Sequence, residues 1–179
     1  TMIVPSVSLR PGVAADDSEQ TIIFVRHGQG AHNVYPKTMA NWAAVAHEER
    51  FRDCALTADG EVQATTLAAR RLASKEQAPD LVVVSPLSRC VDTAKRAFPS
   101  HHKMIATELT RERIAHHASD WRPTRSDLAA RYGDALDLSQ IESDDDLMWL
   151  VKEDVPSADN SIKCAQRASD LLDWLRSRW

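Results

Sequence analysis

Cysteine is scarce in this 179-residue chain. Cys54, Cys90 and Cys164 lie far apart with no paired spacing, which suggests neither a disulfide framework nor a zinc site. Free thiols fit an intracellular, reducing compartment, so a cytoplasmic location is expected. Long hydrophobic runs are absent as well, and no stretch approaches the length of a membrane-crossing helix. Positive charge is not in excess: Lys and Arg total 22 against 26 Asp and Glu, a net charge of −4. That balance argues against a nucleic-acid binder, which would show a basic face. No internal repeat or low-complexity block is present. Residues 1–20, with Pro5, Pro11, Gly12 and Asp16-Asp17, lack a signal peptide's apolar core and read as a flexible or edge-packed leader. Residues 21–179 are long enough for one domain with a sizeable core.

What is present begins with Ile22-Ile23-Phe24-Val25 followed at once by Arg26-His27-Gly28-Gln29. A short continuous apolar run rich in β-branched residues predicts a buried parallel strand. The tetrapeptide then sits at a strand's carboxyl end, where open α/β sheets hold their ligands. Arg26 can grip an anionic oxygen in a fork, and Gly28 lets a substrate approach the backbone. A histidine so flanked suits nucleophilic attack on phosphorus; the plainer alternative is a core histidine beside a structural arginine.

The remaining chain alternates strand and helix, which predicts an α/β fold: a mainly parallel sheet flanked by helices on both faces. Helices are expected over 38–50, over 57–74 with Thr57 as cap, from Ser85-Pro86 onward, over 126–132 stopped by Gly133, and over 144–152. Strands are expected over 81–84 and 103–107, and 108–124 reads as a long functional loop. The acidic run Asp144-Asp145-Asp146 reads as a helix cap with favourable dipole charges, not as a metal site. The five tryptophans read as packing residues. The last segment puts Ile162, Ala165, Ala168, Leu172, Leu175 and Trp179 on one helical face.

Four segments taken in order carry a resemblance. They are Arg26-His27-Gly28-Gln29, then Leu56-Thr57-Ala58-Asp59-Gly60-Glu61-Val62-Gln63-Ala64, then Ser85-Pro86-Leu87-Ser88-Arg89-Cys90-Val91-Asp92-Thr93-Ala94, and last Glu108-Leu109-Thr110-Arg111-Glu112-Arg113. Together they resemble the histidine phosphatase superfamily, also called phosphoglycerate mutase-like, from about Thr21 onward. The stretch from 113–117 through 141–146 looks more like its small phosphatases than its glycolytic mutases.

The resemblance implies a phosphomonoester hydrolase working through a phosphohistidine on His27, with no metal or other cofactor and a small phosphorylated substrate. Arg26 and Arg89 would neutralise the transferring group; a surface salt bridge is the alternative for Arg89. Asn33 is a further phosphate-binding candidate, with a turn or cap role as its alternative. Glu112 would be the general acid, with Glu108 as competitor in the same loop. His116 or His117, with Arg122 and Arg125, would contact the far end of the substrate or else be solvated loop residues. In the family a further strand follows the last helix and ends in a second catalytic histidine. A strand of that kind is therefore expected beyond Trp179, joining the sheet beside residues 21–26. The rival readings are a phosphoglycerate mutase, which would need an insertion that the segment between the second and third strands looks too short to hold, and a non-catalytic phosphate-binding domain.

Overall fold

The computed structural model describes residues 6–9, 20–34, 48–114, 117–150 and 157–178. In chain order the strands are β1 (Ser6–Leu9), β2 (Gln20–Ile23), β3 (Val83–Val84), β4 (Met104–Thr107) and β5 (Leu136–Gln140). The helices are α1 (Ala31–Val34), α2 (Ala58–Ala73), α3 (Ser88–Ala97), α4 (Arg125–Tyr132), α5 (Leu147–Leu150) and α6 (Ser157–Arg176).

Strands β3, β4 and β5 form a parallel sheet in that order, with Val84 opposite Ala106 and Met104 opposite Leu136. The α/β reading with a parallel sheet holds. Its core is legible as a period of two. Val82 and Val84, Met104 and Ala106, Leu136 and Leu138 are all buried, so one face of every strand is apolar. Val91 and Ala94 of α3 and Leu128 and Tyr132 of α4 join the same cluster. The two helices are also tied to each other, as Tyr132 Oη donates to Asp92 (3.1 Å) and Arg131 to Asp92 and Ser88 (2.9 and 3.0 Å).

Several expectations need correction. The run 21–26 does not form a buried parallel strand. Only its first part is strand, and β2 pairs antiparallel with β1, inside the segment read as a leader. Ile23 and Phe24 keep 39% and 40% of their surface exposed. An apolar run declares that it pairs, not with what or in which direction. Strand β5 was not foreseen. Gly133, with φ of +53°, does stop α4, but the short alternating segment Leu-Asp-Leu-Ser-Gln behind it carries only half a strand's apolar content.

Ser85 does not cap the helix that follows it. That helix starts at Ser88, and its first N–H is capped from a distance by Asp53 Oδ1 at 2.7 Å. Thr57 caps α2 as expected, accepting from Gly60 N at 3.1 Å. Glu61, in the first turn of α2, pairs with Arg96 at 2.5 Å. Asp146 Oδ1 accepts from Trp149 N at 3.0 Å and so caps α5. The helix expected over 38–50 lies almost wholly outside the described residues; its end is a 3-10 turn at Glu49–Phe51. On α6 the predicted apolar face is buried only near its end. Leu175 is buried and Leu172 half-buried, whereas Ile162, Ala165 and Ala168 are exposed and Trp179 is outside the described residues. No helix among the described residues is long and apolar enough to cross a membrane.

Candidate active site

Three strand ends converge on one cleft of about 260 Å³. Val25, Arg26 and His27 follow β2, Ser85, Leu87, Arg89 and Cys90 follow β3, and Thr110 and Glu112 follow β4. Four of the five site residues expected from sequence are thus brought together. The fifth, Asn33, is not. Its side-chain oxygen turns back to accept from Gly30 N at 2.9 Å, the local turn bond that a short polar side chain makes readily.

His27 is half-buried. Its Nδ1 lies 2.7 Å from the Gly28 carbonyl oxygen, which can only accept, so Nδ1 carries the proton and Nε2 the lone pair. Arg89 Nε donates to that Nε2 at 3.3 Å. Burial holds the imidazole pKa below its usual 6.5, and the Arg89 charge acts in the same direction. The Gly28 bond opposes them, yet the ring stays neutral at pH 7. The His32 ring lies 5.9 Å away, tilted by 53°, with its Nδ1 2.8 Å from Cys54 Sγ.

Arg89 is fully buried. Besides His27 it donates through Nη1 to the Ser119 carbonyl at 2.6 Å and through Nη2 to Glu112 Oε1. A surface salt bridge, the alternative for this residue, is therefore excluded. Glu112 remains half exposed at the cleft edge, and Arg26 is exposed. Cys90 is an inert wall: burial pushes its thiol up to about 11.

The loop carrying His27 is held almost entirely through its backbone. Gly28 N donates to Thr93 Oγ1 (3.0 Å), and that hydroxyl donates in turn to the Arg89 carbonyl (2.7 Å). Gln29 N donates to Gln63 Oε1 (2.9 Å), and the Gln29 carbonyl accepts from Thr57 N (2.9 Å). Gly28 is required by the packing of the fold itself. A Cβ there would stand 2.4 Å from Gly60 O, and one on Gly60 would stand 2.2 Å from Gln29 O. The first turn of α2 fills the space that a side chain at residue 28 would need.

Of the far-end residues, Arg122, Arg125 and His117 are not among those that line the cleft. Arg122 is 1% exposed, and its guanidinium donates to Glu108 (2.6 Å) and to the carbonyls of Pro123, Ser143, Asp144 and Asp145. It is neither a substrate contact nor solvated. Arg125 reaches the Leu138 carbonyl at 3.4 Å, and His117 holds the next turn through its carbonyl. His116 lies outside the described residues. Glu108 has both oxygens taken, by Arg122 and by Arg111 (3.0 Å), and lies off the cleft. Among the described residues no cluster of His, Cys, Asp and Glu side chains could hold a metal ion.

The family model described as histidine phosphatase superfamily (branch 1) matches residues 22–178. The chain belongs to that superfamily. It is 29% identical to a phosphoglycerate mutase-like protein of Arabidopsis thaliana over 89% of this chain and 67% of that one. It is similarly 29% identical to phosphoglycerate mutase-like protein 1 of the same plant, covering 89% of this chain and 64% of the relative. A probable phosphoglycerate mutase of Arthroderma benhamiae is 32% identical over 66% of this chain and 41% of that protein. The chain thus spans about two thirds or less of the length of these relatives.

Within this superfamily member, sequence reasoning missed Asp53, Gln63, Thr93 and Arg167. Arg167 of α6 donates to the Glu112 carbonyl at 2.8 Å and so braces the cleft edge. Thr93 carried a usable signal, since a threonine four places after an arginine on a helix can bond back to its carbonyl. The other three act across long sequence separations that no local pattern records.

Proposed function

We propose that this chain is the catalytic body of a phosphomonoester hydrolase that works through a phosphohistidine on His27. One observation carries the reading: the Nδ1–Gly28 bond leaves a neutral Nε2 lone pair at a cleft that also holds a buried arginine and a carboxylate. In this reading Nε2 attacks the phosphorus of a bound monoester. The N–P bond forms as the bond to the ester oxygen breaks, and Glu112 gives that oxygen its proton. Nδ1–H stays on the Gly28 carbonyl and carries the positive charge that develops on the ring. Arg89 and Arg26 meet the oxygens of the transferring group. In the second step water attacks phosphorus, the N–P bond breaks, and Glu112 accepts the proton from that water. The free cysteines fit a reducing, cytoplasmic setting.

The names of the plant and fungal relatives favour a second reading, in which a phosphoglycerate hydroxyl replaces water as the acceptor. Both readings share the first step. Rapid quench of the protein turning over a radiolabelled aryl phosphate should trap base-stable, acid-labile label on His27, and His27→Ala should abolish it. Turnover without label on His27 would end the covalent reading. Label that partitions to a phosphoglycerate in preference to water would select the mutase.

A further inference from the structure

We infer that Gln63 is a positioning residue that holds the His27 imidazole in its nucleophilic tautomer by preventing a flip of the Gly28–Gln29 peptide. The inference rests on the reading of His27 as nucleophile, but its central observable does not depend on turnover.

The Gly28 carbonyl and the Gln29 N–H belong to one rigid, planar peptide and point in opposite directions. Whatever fixes one fixes the other. The Gln29 N–H can only donate, so the Gln63 atom facing it at 2.9 Å is the amide oxygen. With the N–H held toward α2, the carbonyl is aimed the opposite way, onto His27 Nδ1 at 2.7 Å. Rotating this peptide by half a turn would present an N–H to Nδ1 in place of the carbonyl. Nδ1 would then have to accept, and the ring proton would move to Nε2, against the Arg89 Nε–H that faces it at 3.3 Å, so that the lone pair would leave the cleft. The chain is most open to such a rotation here, because a glycine precedes the peptide and imposes no Cβ restriction on its own dihedrals.

The preceding peptide is already fixed, since Gly28 N donates to the buried Thr93 hydroxyl. The Gln29 carbonyl, in the peptide that follows, is fixed by Thr57 N at 2.9 Å. For the Gly28–Gln29 peptide itself, the Gln63 side chain is what engages the N–H. Gln63 is half-buried on α2 and lies outside the lining of the cleft, so it acts through the backbone and not on the substrate.

Gln63→Leu removes the acceptor while keeping the side chain's bulk, Gln63→Ala removes both, and Gln63→Glu restores an acceptor oxygen. The test is the tautomer of His27 in the folded, ligand-free protein, read by two-bond proton–nitrogen NMR correlation and assigned with His27→Ala. Wild type should show the proton on Nδ1. Gln63→Leu and Gln63→Ala should move a substantial fraction of it to Nε2 and lower kcat tenfold or more, with KM changed less than threefold. Gln63→Glu should restore the Nδ1–H form and most of the lost kcat. A wild-type tautomer in folded Gln63→Leu and Gln63→Ala would overturn the proposal, even if their activity fell. Should the tautomer move while wild type shows no phosphohistidine, the positioning role stands and the nucleophilic reading falls.

Discussion

Two glutamates four positions apart in one loop show how much a single side chain's neighbours decide. Glu108 is clamped by Arg111 and Arg122 in a buried network, whereas Glu112 meets one arginine at the mouth of the cleft and is half exposed. A proton donor must reach the leaving oxygen, and only the second carboxyl lines that space. Glu112→Gln should therefore slow hydrolysis of alkyl phosphates by about 10²-fold or more and of aryl phosphates far less, since a good leaving group needs little protonation. Glu108→Gln should mainly lower the melting temperature. Steady-state kinetics on both substrate types would reverse the assignment if Glu108→Gln alone showed that pattern. At this scale the sequence was a good guide to residues that follow a strand, because strand ends gather ligand-binding groups whatever the rest of the chain does. It was a poor guide to Arg122. A buried guanidinium satisfied by carbonyls twenty positions away looks, in sequence, like any loop arginine.

The start of α3 shows elements depending on one another for their ends. Leu87 cannot cap, and Asp53 supplies the missing acceptor from a residue with φ of +42°. Burial pushes the Asp53 carboxyl up to about 6, although its bonds to Ser88 and the charges of Arg89 and Arg131 pull it down. Because the folded state holds that proton more tightly than the unfolded chain, this group's contribution to stability is largest below about pH 4. It is lost as pH rises toward 6. Denaturant titrations should show the difference in stability between wild type and Asp53→Asn shifting against wild type by on the order of 2 kcal/mol over that interval. A constant difference would mean that Asp53 titrates like a solvated carboxyl. The sequence yielded α2 and α4 well, because Thr57 and Gly133 are local signals. It misplaced the start of α3 and missed β5, because a cap borrowed over 35 positions and a strand with two apolar residues leave no local trace.

Across the molecule, one buried network ties the cleft to the segment that follows β5. Arg111 forms a two-pronged pair with Asp146 (2.7 and 2.8 Å), both side chains fully buried, and Asp146 also accepts from Arg122 N at 2.9 Å. The loop that ends in Glu112 is thereby fastened to the segment before α5, while Arg167 of α6 holds it from outside. Asp146→Ala takes from a buried guanidinium its two-pronged partner, leaving Glu108 as its one carboxylate, and should cost about 3 kcal/mol in urea unfolding. Replacing Arg111 and Asp146 together with Met and Leu should cost much less. A loss under about 1 kcal/mol in the single variant would show that the pair is solvated. The parallel sheet and the grouping of His27, Arg89 and Glu112 were legible beforehand, since both follow from the order of strands and the residues behind them. The antiparallel β1–β2 pair was not, as pairing direction is settled by the whole chain.

Gly28 and Gly60 turn the active loop into a part with almost no clearance. A side-chain carbon needs about 3.4 Å from its neighbour, and at these two places 2.4 and 2.2 Å are available. A single methyl group at either would drive the loop and the helix apart by about 1 Å, enough to undo the 3.3 Å meeting of Arg89 with His27. Displacements of that size in a reacting geometry cost on the order of 10²-fold in rate. The reach of the imidazole is therefore set by backbone lying against backbone, before any phosphate arrives, and the two positions occupy in effect a single shared volume.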